Sequence, residues 1–191
     1  MKFKWIRSNK NSLKFIFFLA VMGLIVGVLL YFKSGTEVKT GIINKLSNLT
    51  TTIYSTNQNN IIFHLSVLSI LLMLSLIVIG VPLILFYYFY EFVSIGYLLS
   101  ALFDYKKFSG LLFGSIFVII NKILFLLFLT YFLLNSIRYG KRILKNFKAS
   151  KSDIIINQLY KGLFVIGLTL LNDIILYFVG NKLLSIFIFL N

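Results

Sequence analysis

The chain has no cysteine, one proline, one histidine and five acidic residues in 191. Without cysteine there is no disulfide, no zinc-thiolate centre and no thiol redox chemistry. The single histidine, His64, excludes a metal site assembled from several histidines, and no metal or cofactor is expected. Charge is scarce overall. Charged residues make up 13% and hydrophobic residues 59%, whereas a soluble domain carries about 25% and about 45–50%. Such a chain cannot cover a water-facing surface. That excludes a cytosolic enzyme, a nucleic-acid module and a disordered protein, and leaves an integral membrane protein whose main partner is the lipid bilayer.

The charge that is present is one-sided: 19 Lys and Arg give a formal net charge of +14. In a soluble protein this balance would suggest nucleic acid. Here the basic residues fall in short segments between apolar runs, the pattern of membrane topology. The richness in Ile, Leu, Phe, Lys and Asn fits an AT-rich bacterial genome, which places the chain in a bacterial cytoplasmic membrane.

A helix needs about 20 apolar residues to cross the hydrocarbon core. The first run is Phe15 to Phe32, preceded by Lys2, Lys4, Arg7, Lys10 and Lys14. It is longer than a signal-peptide core and no small-residue cleavage site follows, so it reads as a retained span. Residues 33–60 read as a polar outer loop rich in Thr, Asn and Ser. Residues 61–103 are too long for one crossing. Gly80-Val81-Pro82, holding the only proline, divides them into spans 61–79 and 83–103, because proline removes a backbone donor and glycine permits a tight reversal. One long kinked helix is the alternative. The connector Asp104–Ser109 leads to a fourth span, 110–137. A basic loop, 138–157, follows, and then a fifth span, 159–180. The tail 183–190 is too short to cross. The expected fold is therefore all-α: a single polytopic transmembrane bundle of about five spans over residues 1–191, with a Gly-x-Pro break between spans two and three.

Loop charges orient it. Five spans with the N-terminus inside put residues 1–14 and 138–157 in the cytoplasm with eleven Lys and Arg, against six outside. Reading 61–103 as one span would place the basic loop outside, against the positive-inside rule.

Three ionisable residues fall inside apolar runs: Glu91, Lys122 and Asp173. A charge at the bilayer centre costs at least about 2.5–3.5 kcal/mol on insertion scales, so it faces the bundle and takes a partner. Glu91 and Lys122 lie at matched depth on consecutive antiparallel spans and are expected to pair; Lys122 with Asp173 is the other arrangement. These groups read either as structural staples or as an ion or proton path. Asn121, Asn135 and Asn172 lie beside them or in the same spans and suit hydrogen bonding between helices. Gly23 with Gly27, and Gly110 with Gly114, are GxxxG spacings that let two helix backbones approach, within the chain or between two copies. Tyr87, Tyr88, Phe89, Tyr90 and Phe92 surround Glu91, as a lipid-facing or interfacial belt or as the lining of a cavity. His64 reads as an interface residue at the outer end of span two, without a recognisable partner.

No catalytic constellation is legible. A rhomboid-type site needs a GxSG serine, and Gly114-Ser115 lacks that pattern; HExxH, Walker and dinucleotide-binding motifs are absent. The chain reads as a non-enzyme.

From Gly80-Val81-Pro82-Leu83-Ile84-Leu85-Phe86 to Ser94-Ile95-Gly96, the sequence resembles the stage II sporulation protein M family. Members are five-span proteins of roughly this length, with a Gly-x-Pro between spans two and three and a glycine at the far end of the third. Gly110 to Gly114 is similar to the start of the family's fourth span, Gly23 and Gly27 are similar in the first, and Asp173 falls where the family places an acid. The chain departs from the family in the fourth span, with Ile120-Asn121-Lys122 where a proline is common. The resemblance implies a membrane anchor that gathers peptidoglycan-degrading enzymes, stage II sporulation proteins D and P or their equivalents, during engulfment. A transporter or channel subunit using Glu91, Lys122 and Asp173 is the alternative.

Overall fold

The computed structural model describes residues 10–47, 49–77, 80–145 and 152–180. Among them there is no strand. The helices are α1 (Lys10–Lys33), α2 (Thr36–Ser47), α3 (Leu49–Leu76), α4 (Gly80–Lys145) and α5 (Ser152–Ile175), with a π-helical turn at Leu176–Gly180. The tail 183–190 lies outside the described residues.

Four stretches are long and apolar enough to cross a membrane: Lys10–Lys33, Gly80–Leu112, Lys122–Leu144 and Asp153–Phe178. Ile61–Leu76 is a shorter apolar stretch. Their apolar residues are not confined to one stripe. Phe17, Phe86 and Tyr160 are each 69–71% exposed. So much exposed aromatic surface suits lipid, not water.

The 66-residue run of α4 is two helices. The backbone leaves helical geometry at Lys106 (φ −127°, ψ 20°) and Lys107 (φ 53°, ψ −130°). The halves 80–105 (α4a) and 108–145 (α4b) fold back on each other there. Thr130 Oγ1 reaches Tyr88 Oη at 3.3 Å, and a methyl at Gly114 would meet the side chains of Leu99 and Leu102. A positive φ is costly for lysine because of its Cβ, so this reversal carries local strain. It falls within the Asp104–Ser109 connector expected from the sequence.

α4b is the axis of the bundle. Its Lys122–Leu144 stretch is 56% buried, against 22–28% for the other three. Phe125, Leu129, Phe132, Leu133 and Leu134 are at most 3% exposed and pack with Leu68, Leu71 and Leu72 of α3, Tyr88 of α4a and Val165 of α5. α3 and α5 run antiparallel: Leu72 lies against Gly162 and His64 against Asp173. α1 runs parallel to α4a. A Cβ at Gly27 would collide with the Val93 carbonyl, and one at Gly96 with the Leu24 carbonyl, so the two backbones touch.

Three expected boundaries change. Residues 33–60 do not form a loop: α2 and the first turns of α3 occupy most of them. Thr and Asn cost a helix only about 0.7 kcal/mol each or less, and no proline interrupts the segment. The basic stretch 138–157 is likewise helical to Lys145 and again from Ser152. Lys and Arg are good helix formers, and Arg138, Lys141, Arg142 and Lys145 extend α4b without interruption. Only 146–151 separate the two helices, and they lie outside the described residues. Pro82 sits in the first turn of α4 instead of between helices. There a missing N–H has no intrahelical partner to lose.

Candidate functional site

Two acid–base contacts flank α4b, each with a buried carboxylate. The first joins its neighbour α4a: Lys122 Nζ donates to Glu91 Oε2 at 2.7 Å. Tyr87, one turn earlier on α4a, donates its hydroxyl to Glu91 Oε1 at 2.7 Å. Both carboxylate oxygens therefore have donors, as a charge sealed from water requires. The pair is lopsided, with side-chain exposures of 29% for Lys122 and 5% for Glu91. The lysine reaches in from the edge, and its stem covers apolar surface.

The second pair joins α3 to α5. His64 Nδ1 lies 2.9 Å from Asp173 Oδ2, with side-chain exposures of 13% and 5%. With Asp173 ionised, the histidine nitrogen is the donor. The imidazole stacks on Phe125 of α4b at 4.4 Å between centroids and 7° between planes. Lys122 and Phe125 are three residues apart, about 4.5 Å along the helix axis. The two pairs therefore bracket the same turn of the central helix. Beside Asp173, Asn172 is buried, and its Nδ2 has no hydrogen-bond partner.

Glu91 and Lys122 thus meet, while Asp173 pairs with His64 and not with Lys122. His64, read as an interface residue without a partner, is held by a residue 109 positions away. That separation is invisible to local pattern. Asn135 is also buried, with its Nδ2 unpartnered. The side chain of Asn121 lies outside the described residues. Gly23 and Gly27 face Phe89, Phe92 and Val93 of α4a, and Gly110 and Gly114 face Leu102 across the α4 reversal. These glycines serve contacts within the chain.

Two further polar clusters pin the ends of the bundle. Gln158 of α5, 3% exposed, donates through Nε2 to Ser75 of α3 at 3.3 Å and Ser136 of α4b at 3.2 Å. Tyr139 donates to the Leu76 carbonyl at 3.0 Å. At the opposite end, Tyr31 of α1 donates to Asp104 Oδ2 at 2.8 Å, and Ser34 Oγ lies 3.2 Å from Tyr97 Oη. Gln158 escaped the sequence reading because it sits at the seam between the basic segment and the fifth apolar run. Its position just before that run was the one available signal.

Among the described residues, no three His, Asp or Glu side chains are grouped to hold a metal. Comparison of the chain with family models, curated proteins and solved structures gives no match.

Proposed function

We propose that the chain is a non-enzymatic, five-pass scaffold of a bacterial cytoplasmic membrane, recruiting partners that remodel the cell wall. One observation carries this reading: the buried acids Glu91 and Asp173 bond directly to bases on other helices, at 2.7 and 2.9 Å. Direct pairs of this kind act as cross-links that fix the helices around α4b, which suits a rigid platform better than a path along which charge must move. The resemblance to the stage II sporulation protein M family points to the same role and to peptidoglycan-degrading partners.

Five passes follow from treating Ile61–Leu76 and the preceding turns of α3 as a crossing, which the antiparallel run of α3 against α5 supports. The Gly80–Pro82 region then lies at the inner reversal, with the N-terminus inside as the Lys and Arg distribution requires. Cysteines introduced singly at Ser47 and Ser150 test the orientation. An impermeant thiol reagent on protoplasts labels position 47 only; labelling at 150 overturns it.

α2, Thr36–Ser47, is the proposed docking element on the outer side. Replacing residues 36–47 with a Gly/Ser linker of equal length abolishes co-purification of a cell-wall hydrolase and leaves membrane insertion intact; unchanged recovery counts against it. A transporter subunit is the second reading, favoured by the unpartnered Asn172 amide beside Asp173. Proton or solute flux in proteoliposomes that disappears in Asp173→Asn would replace the scaffold with that reading.

A further inference from the structure

Between the Lys145 end of α4b and the Ser152 end of α5 there is a small polar recess. It is lined by Asn135, Arg138 and Arg142 on one side and by Asn157, Gln158 and Lys161 on the other. Its volume is about 30 Å³. A water needs at least about 10–15 Å³ of such space. The recess therefore takes a compact group of a few oxygens, not a sugar ring or a base.

The lining has one sign. Arg138, Arg142 and Lys161 all line the space, and among the described residues no acidic residue does. Like charges around one cavity repel one another, and an entering anion lowers that repulsion. Asn135, 5% exposed, also lines the recess, and its Nδ2 is buried with no hydrogen-bond partner. A buried donor without an acceptor costs about 1–3 kcal/mol, and a rotation of the amide toward the recess would pair it with a bound oxygen. Asn157 and Lys161 add donors from α5.

We propose that this recess binds a phosphate group. The guanidinium and ammonium groups of Arg138, Arg142 and Lys161 supply the counter-charge, and the Asn135 amide, turned toward the recess, donates to one oxygen. Arginine matches phosphate oxygens in a planar fork, and the recess fits the oxygens while the rest of the ligand stays outside. Two sources carry this chemistry: the headgroup of an anionic phospholipid or free phosphate.

Delipidated protein in neutral detergent, titrated with short-chain phosphatidylglycerol, phosphatidylcholine or inorganic phosphate while thermal stability is followed, tests the site. Saturable stabilisation by phosphatidylglycerol, with neither phosphatidylcholine nor inorganic phosphate matching it, identifies a lipid headgroup site. Equal affinity for inorganic phosphate identifies free phosphate. In either case Arg142→Gln and Lys161→Gln each weaken binding about fivefold, and together about twenty-five-fold. Lys141→Gln, which removes an exposed charge from the same turn but does not line the recess, leaves binding unchanged. Asn135→Leu, which alters no charge, weakens it about tenfold, and decides the matter if the double variant does not fold. No saturable stabilisation, or equal loss in Lys141→Gln, or undiminished binding in Asn135→Leu, overturns the proposal.

Discussion

The two faces of α4b hold their buried acids in different ways. On the α4a side, Glu91 is bonded through both oxygens, to a lysine and to a tyrosine. Removing the lysine leaves this acid with the tyrosine as a donor and no cation beside it. On the side facing α3 and α5, Asp173 is bonded to a histidine that is also held by stacking on Phe125. A neutral imidazole still offers one N–H, so this contact survives loss of charge on either partner. The first acid is held by two donors; the second is held by one that is itself fixed by stacking.

The sharpest break of this contrast is at Lys122. Lys122→Gln strands Glu91 in a site where its side chain is 5% exposed, and costs about 3–5 kcal/mol. Glu91→Gln costs less, because Lys122 is 29% exposed and can reach out toward the interface. The double variant recovers most of the loss, as unfolding in detergent measures. Purely additive losses would show that the two residues do not interact.

Next in size is Gly27→Leu. A side chain there strikes the α4a backbone at Val93, on the face behind Glu91, and costs about 2–3 kcal/mol. Combined with Lys122→Gln it should be more than additive if α1 holds α4a in place for the pair, and additive if α4a is held by α4b alone. Asp173→Asn costs only about 1 kcal/mol, since the amide oxygen still accepts from His64. A loss as large as that of Lys122→Gln would make the two pairs equivalent and remove the contrast. The smallest change is a gain. Lys107→Gly relieves the positive φ at the α4 reversal and raises stability by about 0.5–1 kcal/mol after glycine's own entropy is set against it. The halves of α4, and so Glu91 and Lys122, keep their register; loss of stability would show that the lysine side chain holds the turn.

Much of this arrangement is legible in the sequence, and the rest is not, for physical reasons. Runs of apolar residues disclose the long helices because lipid demands them. Lys106 and Lys107 mark the reversal because they sit in Asp104–Ser109, the densest cluster of charge between 83 and 137. Glu91 and Lys122 are legible together because consecutive antiparallel helices convert position along the chain into depth. His64 and Asp173 belong to helices separated by the whole of α4, and no count along the chain sets their depths against each other. The polar segments 33–60 and 138–157 mislead because helix formation depends on the backbone and its neighbours. Thr, Asn, Lys and Arg signal contact with water, which a helix outside the lipid tolerates as well as a loop does.

The parallel packing of α1 on α4a has a consequence for how the protein is made. Tyr31 and its partner Asp104 are 73 residues apart. At roughly 5–20 residues per second, synthesis of that interval takes roughly 4–15 s. For that time the glycine face of α1 exists without the helix it fits. A ribosome-bound chain halted before residue 89 therefore presents α1 with Gly23 and Gly27 uncovered, and whatever occupies that groove, lipid or insertion machinery, must leave it when α4a arrives.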